Sequence, residues 1–207
     1  AHHGVLFLDE LPEFDKRVLE VLREPLESRQ ITISRAAHQA CFPSNFQLIA
    51  AMNPCPCGYL GDPSGRCGCH PDVVRRYRAK ISGPLVDRID IHIEVPNLPR
   101  NELHNETVRE TSATVRERVT QARHRQLQRC DKPNRLLSPQ EIEKYCQLSP
   151  TDERLLDRAI EQLGLSARAW HRILKVARTI ADLSGVENIL TPHLTEAITY
   201  RRLERRH

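Results

Sequence analysis

The sequence predicts an α/β unit followed by an all-α unit, and three observations predict it. Short apolar runs, with most of the prolines and glycines, crowd the stretch before about Val95, and Ser-Pro or Thr-Pro pairs opening helical patterns follow. Val5-Leu6-Phe7-Leu8 is a continuous apolar run, the mark of a parallel strand covered on both faces. Trp170, Ile173, Leu174, Ala177, Ile180 and Ala181 repeat on one helical face. The turn Pro96-Asn97-Leu98-Pro99 divides the chain into 1–98 and 99–207.

In order, Val5–Leu8 is the first strand, and Val18, Leu19, Leu22 and Leu26 then recur at helical spacing, with Pro25 near that helix's end. Gln30–Ser34 and Gln39–Phe42 predict a hairpin with its tip near Ala36-Ala37-His38. Phe46–Met52 is a second buried strand, lying beside the first, and Ile89–Val95 alternates strictly, as a strand with one polar face would. In the second half, Ser138-Pro139, Ser149-Pro150 and Thr191-Pro192 each pair an N-cap with a proline in the first helical position. Ser138-Pro139-Gln140-Glu141 is a capping box, and Gly185 closes the Trp170 helix. Four or five helices are expected.

Length and charge bound the function. The 207 residues can bury one core with a smaller satellite. No window approaches the ~18 uncharged apolar residues a membrane span needs, and the first residues lack the pattern of a signal peptide. Net charge is +4, too small an excess to argue nucleic-acid binding unaided. The basic run Arg201–Arg206 suits either phosphate contact or a solvated helix end. Seven cysteines without an export signal read as reduced thiols or metal ligands, which places the protein in the cytoplasm.

The chemistry begins where the first strand ends. Asp9 and Glu10 follow four apolar residues directly, and ligands of open α/β sheets sit beyond the carboxyl ends of the strands. There an Asp can hold Mg²⁺ on a nucleotide and a Glu can deprotonate the attacking water, the form of a Walker B motif. A strand ending in acids also arises simply by reaching solvent. Asn53 stands at the tip of the second apolar strand, where an amide can position water near a γ-phosphate; alternatively, Asn-Pro turns a loop. Arg88, at the mouth of the Ile89–Val95 run, could reach a neighbouring subunit's nucleotide, or form a surface pair with Asp87 or Asp90. Arg168 lies in the first turn of the Trp170 helix, where a cation opposes the helix dipole, so an anionic partner is expected.

Cys55, Cys57, Cys67 and Cys69 form two CxC pairs around a Gly/Pro/Asp-rich loop. Four thiolates suffice for a closed, structural tetrahedral zinc site, though one-residue spacing is tighter than the usual two to four. Reduced cysteines packing a compact loop are an equal alternative. Cys41, Cys130 and Cys146 are expected to pack as small hydrophobes.

The order of these motifs resembles the ComM/YifB family of magnesium-chelatase-like AAA+ ATPases. The resemblance is carried by GVLFLDELPEF, LREPLESRQITISRA, FQLIAAMNPCPCGYLGD, CGCHPDVVRRYRAKISGPLVDRIDIHIEVP and SARAWHRILKVARTIADL. It implies a partial AAA+ P-loop-type core with an inserted hairpin, followed by an all-α lid domain. It also implies Asp9 and Glu10 as Walker B, Asn53 as sensor 1, Arg88 as the arginine finger and Arg168 as sensor 2. The hairpin becomes the element facing DNA, with Arg35 and His38 as contacts. The implied protein is a hexameric ring using ATP and Mg²⁺ to remodel DNA, by branch migration during recombination of imported DNA. A chelatase-type motor acting on a tetrapyrrole, a MoxR-like protein remodeller and a non-catalytic zinc-bound adaptor are the rivals. No GxxxxGK[ST] loop is present, so the chain is expected to be a C-terminal portion that binds ATP poorly alone. Its sheet would then expose an edge and an apolar face.

Overall fold

The computed structural model describes residues 1–35, 38–96 and 110–201, with backbone only for Arg35 and His38. They form two compact units, Ala1–Ile89 and Asp90–Arg205.

In the first unit, strand β1 (Val5–Leu8) leads to helices α1 (Lys16–Val21) and α2 (Arg23–Ser28). Asp15 caps α1 by accepting from Arg17 N–H. The single helix expected over this stretch is two, parted at Leu22. The cause is Pro25, which has no N–H to donate four residues back and whose ring crowds the carbonyl there. Strands β2 (Gln30–Arg35) and β3 (His38–Pro43) make the antiparallel hairpin, registered from Gln30 opposite Pro43 to Arg35 opposite His38. Its tip, 36–37, lies outside the described residues.

Strand β4 (Gln47–Ala50) lies parallel to β1, with Val5 opposite Gln47 and Leu8 opposite Ala50. The sheet is not covered on both faces. Val5 and Phe7 are 55% and 59% exposed, while Leu8 and Ala50 pack against the core of Leu11, Leu19, Ile81, Leu85 and Val86. Helix α3 (Pro71–Arg78) and the short α4 (Gly83–Val86) complete the unit.

The second unit is helical: α5 (Ser112–Cys130), α6 (Pro139–Tyr145), α7 (Pro150–Leu163), α8 (Ala167–Ser184) and α9 (Thr191–Thr199). The α6 capping box forms as read: Ser138 Oγ accepts from Glu141 N–H, and Glu141 Oε2 accepts from Ser138 N–H at 2.7 Å. Ser149 Oγ caps α7 by accepting from Asp152 N–H at 3.1 Å. The α9 cap is Leu190 rather than Thr191, whose hydroxyl instead donates to Asp152 Oδ1 at 2.7 Å. Gly185 closes α8 at φ 77°, and a Cβ there would lie 3.2 Å from Arg125 Nη2. Ile173, Leu174, Ala177 and Ala181 are buried on the predicted face of α8.

The alternating run 89–95 is not a strand. Ile93 and Val95 are 68% and 83% exposed, and His92 N–H donates to the carbonyl of Tyr200 at the end of α9. Period-two alternation marks a face that a sheet would bury, but the ladder itself must come from a neighbouring strand. Among the described residues, β1 and β4 are the parallel pair, and no strand continues beside them at this run.

Candidate active site and cysteine cluster

The parallel pairing of β1 and β4 sets the first feature. Both strands run the same way, so Asp9-Glu10 and Asn53 emerge at one end of the sheet. Two backbone bonds extend the pairing past the strands: Ala51 N–H to Leu8 C=O at 2.9 Å, and Leu11 N–H to Ala51 C=O at 3.0 Å. Asp9 Oδ1 accepts from Glu10 N–H at 2.9 Å. Glu10 adopts φ 50° and ψ 46°, a left-handed conformation uncommon outside glycine that ends β1 abruptly and starts the 3₁₀ turn Leu11–Glu13. Asp9, Glu10 and Asn53 are all exposed.

Helix α3 braces the Asn53 side of this edge, through residues the sequence reading did not single out. Arg78 donates from Nε and Nη2 to the Pro54 carbonyl at 3.3 and 3.2 Å. Tyr77 is buried, and burial first, then the Glu13 charge, raises its pKa against the opposing pull of the Asn53 backbone. The apolar spacing of Val74 and Tyr77 shows which face of α3 turns inward, but sequence alone does not say what that face meets.

Arg88 follows α4. Its Nη1 donates to the Pro84 carbonyl at 2.7 Å and its Nη2 is ion-paired with Glu27 on α2. Arg88 stands in the turn after a short helix rather than at the mouth of a strand, because 89–95 is not one. Arg168 is in the second unit, exposed in the first turn of α8, where Ser166 makes no side-chain cap. Arg172, one turn on, is ion-paired with Asp90 at 2.7 Å. Arg35 and His38 stand opposite each other at the hairpin end by backbone register, and their side chains lie outside the described residues.

The second feature is the cysteine cluster. The Sγ atoms of Cys55, Cys57, Cys67 and Cys69 all lie within 4.8 Å of one another. Cys55 is fully buried and all four thiols are free. Burial works against a Cys55 thiolate, yet hydrogen bonds from Cys57 and the Leu60 amide outweigh it and hold the thiol at about 6. The Cys57 amide favours a Cys69 thiolate, but the Cys57 side chain and burial prevail and push that thiol up to about 11.

The remaining cysteines divide. Cys146 is buried, and burial pushes its thiol up to about 11; Cys130 is half-buried beside Glu141. Cys41 does not pack as a small hydrophobe, being exposed on β3 with its thiol donating to Gln30 Oε1. Of the basic C-terminal run, Arg201 is buried rather than solvated, and 202–206 lie outside the described residues.

The chain matches two sequence families: magnesium chelatase, subunit ChlI, over residues 1–103, and its C-terminal family over 109–201. It is 52% identical to competence protein ComM of Haemophilus influenzae and 48% identical to YifB of Escherichia coli, in each case over 99% of this chain. The chain belongs to the ComM/YifB family of magnesium-chelatase-like proteins. It spans 40% of the length of these two family members. An archaeal Lon protease of Methanocaldococcus jannaschii is 26% identical over 92% of the chain, which covers 25% of that protein. Among the described residues, no helix is long and apolar enough to cross a membrane.

Proposed function

We propose that the whole protein is a Mg²⁺-dependent ATPase that works as a ring on DNA in the cytoplasm. The observation that carries the hydrolase reading is the emergence of Asp9, Glu10 and Asn53 at one end of two adjacent parallel strands. In this reading Asp9 holds the Mg²⁺ of bound ATP, the Glu10 carboxylate accepts a proton from the attacking water, and Asn53 orients that water. Arg88 serves a neighbouring subunit's nucleotide as the arginine finger, and Arg168 serves as sensor 2. Any zinc held by the four cysteines would take no part in hydrolysis, since four thiols around a metal leave no open position.

DNA as the partner rests on similarity to the competence protein ComM, with branch migration as the activity and the β2–β3 hairpin, through Arg35 and His38, as the contacting element. ATP hydrolysis by the whole protein, with and without four-way DNA, tests this. DNA-stimulated turnover coupled to strand exchange is expected. Turnover indifferent to DNA but stimulated by a tetrapyrrole would instead favour the chelatase reading that the family's name suggests.

A further inference from the structure

Asn53 is exposed at the strand end, yet the chain on either side of it is held. Before it, Ala51 N–H donates to the Leu8 carbonyl at 2.9 Å, and the Ala51 carbonyl accepts from Leu11 N–H at 3.0 Å. After it comes Pro54, whose ring confines the preceding residue to extended backbone. Beyond that, Gly58 N–H donates to the Cys55 carbonyl at 3.0 Å, closing a tight turn with Gly58 at φ 79°, a left-handed value that L side chains rarely adopt. The turn brings Gly58 against the Asn53 side chain: a Cβ on Gly58 would lie 3.9 Å from Asn53 Cγ and Oδ1.

A further hold comes from Arg78, 24 residues along the chain from Pro54. Its Nε and Nη2 both donate to the Pro54 carbonyl, at 3.3 and 3.2 Å, so one edge of the planar guanidinium clamps one oxygen. The helix that carries Arg78 is itself anchored. His70 caps α3 by accepting from Asp72 N–H, and Val74 and Tyr77 are buried on its inner face. Just past its end, Ile81 N–H donates to the Arg78 carbonyl at 3.1 Å, and Ile81 is buried in the core against which Leu8 and Ala50 pack. Arg78 therefore spans from the core under the two strand ends to the peptide that follows Asn53. Its neighbours behave differently: Arg75 and Arg76 are exposed on the outer face, and Arg75 is ion-paired with Asp72 one turn back. An outward arginine would keep α3 soluble equally well. Turning this one inward costs side-chain freedom and part of its hydration, which a bond to a carbonyl does little more than offset.

We infer that Arg78 is a positioning residue for Asn53: by clamping the Pro54 carbonyl it fixes the backbone from which the Asn53 side chain projects, and so fixes where that amide meets the attacking water. The inference rests on the hydrolase reading of Asn53. With the backbone held by Pro54 and Arg78 and one side closed by Gly58, little freedom is left to the amide. Misplacing a reacting group by about 1 Å costs ~10²-fold in rate. Arg78 holds backbone rather than nucleotide in this scheme, so its loss falls on kcat and leaves KM for ATP largely alone.

Steady-state ATP hydrolysis by the whole protein tests this through a double-mutant cycle. Arg78→Ala should lower kcat ~10- to 10²-fold with KM for ATP little changed. Arg78→Lys keeps the charge but not the forked edge, and should recover only part of the loss. In an Asn53→Ala background, Arg78→Ala should cost nothing further, because the group it positions is gone. Amide hydrogen exchange of the whole protein should speed up over 53–58 in both Arg78 variants, with α5–α9 unchanged. Parental turnover in Arg78→Ala where Asn53→Ala loses it overturns the proposal, and so does a loss that persists undiminished in the Asn53→Ala background. Unaltered exchange over 53–58 overturns the clamp itself. Parental turnover in Asn53→Ala sinks the hydrolase reading of that residue and the catalytic half of the proposal with it, while exchange still decides whether Arg78 holds the backbone.

Discussion

Arg88 Nη2 is ion-paired with Glu27, 61 residues earlier on α2. The pair ties the segment after α4 to the helix from which the hairpin departs, since β2 begins two residues after α2 ends. Glu27 is half-exposed, so the pair contributes only about 0–1 kcal/mol to stability. Glu27→Gln should therefore leave the unfolding midpoint of the chain within that margin in a denaturant titration. Arg88→Ala in the whole protein should lower kcat ~10³-fold or more while KM for ATP changes little, as loss of an arginine finger does. A similar loss from both substitutions would make the pair itself, rather than the guanidinium, the functional unit.

Glu10→Gln keeps the shape of the side chain and removes the proton acceptor. Nucleotide binding by the whole protein should persist while kcat falls ~10²- to 10⁴-fold, the range a general base supplies. Equilibrium binding and steady-state hydrolysis measured on one preparation separate the two effects. Asp9→Asn should differ from it by weakening Mg²⁺ dependence as well as turnover.

Asp182 is fully buried in the second unit and accepts from Arg129, Arg178 and, at 2.8 Å, Asn134 Nδ2. Arg178, itself buried, also donates to the carbonyls of Val186 and Glu187, fixing the chain beyond Gly185. Asp182→Ala leaves two guanidinium groups without their carboxylate and should cost about 3–5 kcal/mol of stability. Urea unfolding of the chain, followed by helical circular dichroism, reads this directly. Asp157→Ala, at an exposed position on α7, is the control and should shift little.

Lys132 beside Glu141, with the Ser138 amide, holds the Glu141 carboxyl down from 4.5 to about 2. A carboxylate whose pKa is lowered on folding stabilises the fold above its unfolded value and loses that contribution as pH falls through the folded one. Stability of the second unit should therefore decline between pH 4.5 and about 2. Glu141→Gln should flatten that part of the profile, measured as unfolding midpoint against pH.

Much of this was legible in the sequence, for local reasons. Ser138, Ser149 and Gly185 act within a few residues of themselves, and the apolar runs before Asp9 and Asn53 name adjacent strands because both end in polar groups at one sheet edge. Contacts remote in sequence were not legible: Glu27 for Arg88, Arg78 for Pro54, and Asp152 for Thr191. The run 89–95 shows the converse error, because alternation describes a side-chain pattern and a strand also needs a neighbour. Pro25 marks a helix end by its position in the sequence, whereas its missing donor acts a full turn earlier and splits the helix at Leu22.

The central claim is hydrolysis completed across a subunit boundary, and mixing two inactive variants of the whole protein tests it most directly. Glu10→Gln and Arg88→Ala should each be inactive alone. In a mixed ring, a site with intact Glu10 can face a neighbour with intact Arg88, so combining the two should restore part of the DNA-stimulated ATPase activity. If the mixture stays as inactive as either variant while the parent protein turns over, Arg88 acts within its own subunit and the account is contradicted.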